Sequence, residues 1–201
     1  MHPIQFGVDY PDVPRNRLTA AFRLVLVIPI LVVLGAVGAA FADDGTELAC
    51  LGAGVLFLPP LLLIVFRQKY PRWWFDFNVA YLRFDARVLA YALLLCDVYP
   101  STDDEQAVHL ELPYPDVAAD LNRWLPLVKW FLAIPHYAAL FVLGIGVVLV
   151  TIAAWFAILF TGRHPRGLFD FTVGVMRWHN RVTGYAFALV TDTYPPFRLA
   201  A

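Results

Sequence analysis

Two stretches carry the ionisable residues whose types and spacing could do chemistry. Arg83 and Arg87 stand four residues apart, as do Arg177 and Arg181, and that spacing puts each pair on one helical face. A basic pair at a membrane surface attracts anionic headgroups, at about 1 kcal/mol per residue. These four arginines are the expected contacts to lipid or to a partner protein. Asp76 and Asp170 fall near the starts of the same stretches. A carboxylate near a helix N-terminus is favoured by about 0.3–1 kcal/mol. Helix capping, or an ion pair to Arg83 or Arg177, is the expected role. No second acid adjoins either aspartate, so acid–base catalysis is not expected of them.

Other reactive groups form no constellation. His136 follows Pro135 in an apolar run, which raises haem ligation as a remote alternative. No histidine among His2, His109, His164 and His179 is clearly placed as a second axial ligand. Cys50 and Cys96 have neither CxxC nor metal-ligand spacing, and no disulfide between them is expected. No GxSxG, P-loop, GxGxxG, HExxH or CxxCH occurs, so no catalytic residue, cofactor or metal is assigned.

The elements that position these residues are apolar. Of 201 residues, 60% are hydrophobic and 15% charged, and the mean hydropathy is +0.64. An average soluble domain carries about 25% charged residues. Too little polar side chain is present to coat a soluble domain, so an integral membrane protein is expected. The net charge of −1 gives no nucleic-acid signal. The first residues lack a basic segment followed by an apolar one, so no cleavable signal is expected.

The chain repeats itself. Tyr10-Pro11-Asp12-Val13 recurs as Tyr114-Pro115-Asp116-Val117, and Arg17, Arg23, Ile28 and Pro29 recur as Arg123, Lys129, Ile134 and Pro135. Tyr70-Pro71-Arg72 with Phe75-Asp76-Phe77 recurs as His164-Pro165-Arg166 with Phe169-Asp170-Phe171. Arg83, Arg87 and Tyr91 return as Arg177, Arg181 and Tyr185, and Asp97-Val98-Tyr99-Pro100 as Asp192-Thr193-Tyr194-Pro195. The order is kept throughout, which predicts two tandem units, 1–100 and 107–201, joined by a linker at 101–106. Alternation over Ile4–Val8 and Ala107–Leu112 predicts a short strand opening each unit.

Each unit then reads as an apolar hairpin and an amphipathic helix. Spans are expected over Leu18–Ala42 and Leu48–Phe66, broken by Asp43–Glu47. Leu125–Thr161 holds one charge, Lys129, and is nearly twice the ~20 residues of a crossing. Two spans with a turn at Gly144-Ile145-Gly146 are expected there. Pro59-Pro60 is read as a packing kink in the second span. Gly35 and Ala39 give the first span a small-residue face for close helix packing. Arg72–Cys96 and Arg166–Val190 are too charged to cross and read as interfacial helices. Trp73, Trp74, Trp124, Trp130 and Trp178 fall where belt aromatics sit. Basic residues flank the spans at Arg15, Arg17, Arg23, Arg67, Lys69, Arg72, Arg123, Arg163 and Arg166. The positive-inside rule then puts both termini in the cytoplasm. The expected fold is an all-α polytopic membrane protein, with four transmembrane helices, two interfacial helices and short cytosolic strands.

The blocks Ile134-Pro135-His136, Phe160-Thr161-Gly162-Arg163-His164-Pro165-Arg166 and Asp192-Thr193-Tyr194-Pro195-Pro196-Phe197, with Arg177-Trp178 and Arg181 to Tyr185, carry a resemblance. The chain resembles a bacterial membrane family known as domain of unknown function 4389, over nearly its whole length as two copies. The first copy departs at Ile30, where the second has His136, and at Trp73-Trp74. The resemblance implies the architecture and a bacterial inner-membrane location, and it carries no activity. The expectation for function is a non-enzymatic accessory or anchoring subunit that packs against a partner membrane protein. A lipid-handling module using the four arginines is the alternative, and a haem redox subunit the second alternative.

Overall fold

The computed structural model describes residues 2–11, 14–39, 52–102 and 104–200. They form a mostly helical structure with one two-stranded sheet. Strand β1, Gln5–Val8, is followed by α1, Arg17–Ala21, α2, Arg23–Ala39, α3, Gly52–Arg67, and α4, Arg72–Ala92. Then come β2, Val108–Glu111, α5, Val117–Asp120, α6, Pro126–Leu132, α7, Ile134–Thr161, and α8, Arg166–Ala186. Both expected strands are present. They pair antiparallel, with Phe6 opposite Leu110 and Val8 opposite Val108.

The expected turn at Gly144-Ile145-Gly146 is absent. Helix α7 runs unbroken through both glycines for 28 residues. Each glycine costs about 1 kcal/mol against alanine, but its Ala, Leu, Val and Ile neighbours leave no polar group to take over backbone hydrogen bonds. Proline sets the boundary instead. Ala133 ends α6 and opens α7, and Pro135 takes an early helical position where its missing N–H costs nothing. A second hairpin within Leu125–Thr161 is therefore not formed.

Among the described residues α7 is the one helix long and apolar enough to cross a bilayer, with a mean hydropathy of 2.6. Helices α2 and α3 are apolar but shorter, at 17 and 16 residues, and continue through Pro29 and through Pro59-Pro60. Asp43–Glu47, Cys50 and the ends of the two first spans lie outside the described residues.

Helices α4 and α8 each bury a face inside the fold. Helix α8 is central, with Phe169, Thr172 to Met176, Trp178 and Arg181 to Tyr185 mostly buried against α7, α6 and β1. Two glycines permit this. A Cβ at Gly184 would meet Ile4 Cδ1 at 2.1 Å, and one at Gly174 would meet Leu199 Cβ at 2.9 Å. The segments at both ends of the chain thus press directly onto the α8 backbone. Trp178 belongs to this core rather than to an interfacial belt; Trp73, Trp124 and Trp130 are exposed.

The packing is reciprocal. Helix α4 packs on β2, and α8 packs on β1. A helix from each half of the chain therefore supports the strand of the other half.

Candidate functional site

Two of the four arginines, Arg83 and Arg177, serve this exchange. Arg83 donates through Nε to the Leu110 carbonyl at 2.9 Å, and Arg177 donates through Nε to the Phe6 carbonyl at 2.9 Å. Arg87 donates to the Ser101 carbonyl at 2.7 Å, and Arg181 to the Ala200 carbonyl at 3.0 Å. Each guanidinium holds a backbone oxygen that the sheet and helices leave unmet, which is what five fixed N–H donors suit. Arg87 thereby ties down the start of the linker.

Asp76 and Asp170 do neither task expected of them. Helices α4 and α8 start at Arg72 and Arg166, so the aspartates sit past the first turn, and no side chain caps either helix. Both are exposed, and Arg83 and Arg177 are turned to the strands instead. The ion pairs come from other positions. Asp97 binds Arg15 at 3.2 Å and Arg23 at 2.5 Å, and Asp192 binds Lys129 at 2.7 Å. Arg23 and Lys129 are 2% and 0% exposed, so both charges depend on their aspartates. The Arg23 guanidinium also lies over the Tyr91 ring at 4.0 Å, and the Lys129 ammonium over Tyr185 at 5.1 Å.

Further contacts recur in pairs. Tyr10 donates to the His164 carbonyl at 2.6 Å and Tyr114 to the Tyr70 carbonyl at 2.5 Å. Tyr10 meets Phe169 edge to face at 5.0 Å, and Tyr114 meets Phe75 likewise at 5.0 Å. Backbone conformation repeats too. Gln68 and Gly162 have positive φ after α3 and α7, and Leu94 and Leu189 after α4 and α8.

His136 is sealed. It is fully buried, its Nδ1 accepts from Trp178 Nε1 at 3.1 Å, and its ring stacks on Phe197 at 4.0 Å. Among the described residues no group of three or more His, Cys, Asp or Glu side chains could hold a metal ion. Gly35 is exposed, and among the described residues nothing lies within 4 Å of where a Cβ would sit. The side chain of Ala39 lies outside the described residues.

One cavity gathers groups that the sequence did not connect. It has a volume of about 270 Å³ and lies between α3, α4 and α8. Asp85 and Tyr81 line it from α4, His179 and Thr183 from α8, and Phe57 and Phe187 supply an aromatic wall with centroids 6.0 Å apart. Burial raises the Asp85 carboxyl above the usual aspartate range and lowers the His179 imidazole below the usual histidine range. Burial, and then the Asp85 charge, pushes the Tyr81 phenol up. Neither a hydrogen bond nor an ion pair joins Asp85 to His179. In the sequence these two were only polar members of amphipathic stretches. Their separation of 94 residues, the same as that of Arg83 and Arg177, was the signal that places them at matching positions.

Residues 124–198 match the model of a family described as Domain of unknown function (DUF4389). No curated protein and no solved structure matches the chain.

Proposed function

We propose that this chain is a membrane-embedded, non-enzymatic accessory or anchoring subunit built as two tandem copies of one unit. The carrying observation is the outer face of α7. Phe141, Val142, Ile145, Val148, Leu149, Ile152, Phe156 and Phe160 recur at helical spacing and are all exposed, from 49% to 78%. Leaving so many large side chains in water is costly, at about 1.5–3 kcal/mol for each that could be buried. Acyl chains cover this stripe in our reading, and exposed Leu24, Ile28 and Val32 of α2 extend the apolar surface. The resemblance to a bacterial family supports a bacterial cell membrane. The paired contacts support the duplication, because residues related by the sequence repeat meet the same kinds of partner. The scaffold role is supported by how charge is used: Arg23, Lys129, Arg83 and Arg177 brace the fold.

The test is native mass spectrometry after extraction in mild detergent at endogenous expression. A stoichiometric heteromeric mass is expected, in a membrane fraction that resists alkaline wash. A protein released by that wash, or recovered alone from the membrane, would overturn the reading. A lipid-handling role keeps one supporting observation. Lys69 and Arg163 are exposed at the turns into α4 and α8. A monomer carrying an anionic lipid, lost on replacing both by Gln, would favour that role instead.

A further inference from the structure

We propose that the cavity between α3, α4 and α8 is a binding site for a small organic cation, a protonated amine with an apolar body. This goes beyond the anchoring role and does not depend on it. The groups that could meet a ligand there are few. From α4 come the Asp85 carboxylate, the Tyr81 phenol and the Asn78 amide; from α8 come the His179 imidazole and the Thr183 hydroxyl; Phe57 and Phe187 form the wall. No lysine or arginine lines the cavity, so Asp85 is its single full charge at neutral pH.

That charge is costly as it stands. A carboxylate taken out of water needs an opposite charge or hydrogen-bond donors. Asp97 and Asp192 have cations, whereas Asp85 makes no hydrogen bond or ion pair among the described residues. Burial disfavours its ionised form, and no lysine or arginine of the lining supplies a counter-charge. An ammonium ligand removes this penalty. Aromatic rings favour the same kind of guest, since a ring face attracts a cation within about 6 Å. The apolar wall takes the ligand's body. About 270 Å³ lies near the lower end of ligand pockets, which limits the guest to a small molecule. A metal is the weaker fit. Asp85 and His179 are two donors, and protein sites for transition metals supply three or four.

The experiment uses the full chain in a non-ionic detergent at pH 7, with calorimetric titration of two probes of one shape. 2-Phenylethylammonium carries the charge, and 2-phenylethanol does not. The cation should bind at least tenfold more tightly. Asp85→Asn should abolish that preference while leaving the alcohol's affinity within about threefold. Lowering the pH until Asp85 is protonated should do the same to the unaltered protein, so the proposal stands or falls even if the variant does not fold. Equal affinity for the two probes, no heat from either, or a preference that survives both Asp85→Asn and acid would overturn it.

Discussion

Arg177 reaches back 171 residues to hold the carbonyl of Phe6. Phe6 stands opposite Leu110 in the sheet, and Leu110 is held in turn by Arg83. The two arginines therefore clamp one register pair from opposite halves of the chain. A hydrogen bond from a charged donor contributes about 1.5–3 kcal/mol. Arg177→Gln should cost an amount in that range. Arg83→Gln, at a more exposed position, should cost less. Because each strand has the other as its partner in a two-stranded sheet, either substitution should raise amide exchange in both Phe6–Val8 and Val108–Leu110. Exchange confined to one strand would count against the clamp.

The Lys129–Asp192 pair should respond unequally to its two deletions. Asp192→Asn leaves a fully buried ammonium without its carboxylate. Breaking a buried pair costs about 3–5 kcal/mol, and the loss should fall in that range. Lys129→Met leaves Asp192, which is 21% exposed and still accepts from the Asn122 amide at 2.5 Å. Its cost should be clearly smaller. Thermal unfolding of both variants in the same detergent reads the difference, and equal losses would contradict it.

Gly184→Ala should be destabilising, because the new methyl meets the end of Ile4. Overpacking of this kind costs about 1–3 kcal/mol. Ile4→Val removes the Cδ1 atom that clashes most, so the double variant should recover part of the loss. Denaturant midpoints of the two single variants and the pair decide this, and strict additivity would refute the contact.

Asp85→Asn should stabilise the protein at pH 7. Burial raises the folded-state pKa of Asp85, so the unfolded chain ionises first as pH rises. Stability falls through that window and stays lower above it. The advantage of the Asn variant should thus grow as pH rises above the ordinary aspartate value of about 3.8, be complete above the raised folded-state pKa, and vanish below 3.8. His179 acts with the opposite sign. Its folded-state pKa is lowered, so stability is lost as pH falls below 6.5, and His179→Gln should remove that loss. Unfolding curves from pH 3 to 8 would show both. A destabilised Asp85→Asn protein at pH 7 would contradict the desolvation argument.

Val148→Lys should release the protein from the membrane or block its insertion. Val148 is 58% exposed near the middle of α7. A lysine at bilayer depth costs about 2.5–3.5 kcal/mol. Alkaline extraction measures this, and unchanged retention would show that the stripe is not in lipid.

The sequence was informative where a pattern is local. The strands were legible from alternation, and the helical Arg72–Cys96 and Arg166–Val190 stretches from their periodicity. The run to Thr161 was misread at Gly144 because a glycine pair signals a turn only when something competes for the backbone. The destination of each arginine was hidden for a different reason. Four-residue spacing shows that Arg83 and Arg87 share a face, but not that a strand lies against it. The same limit hid the cavity. Asp85 and His179 become neighbours only once two helices from different halves are packed.

The crossed clamp also has a temporal side. Strand β1 waits for a partner about a hundred residues downstream, and at ~5–20 residues per second of synthesis that is on the order of 5–20 s. During that interval the emerging first half presents an unpaired edge and an empty helix face. A second nascent chain carries the missing strand just as well. The route to a correct monomer and the route to an interlocked pair therefore diverge at this step, and polysome density becomes a variable in which of them a cell obtains.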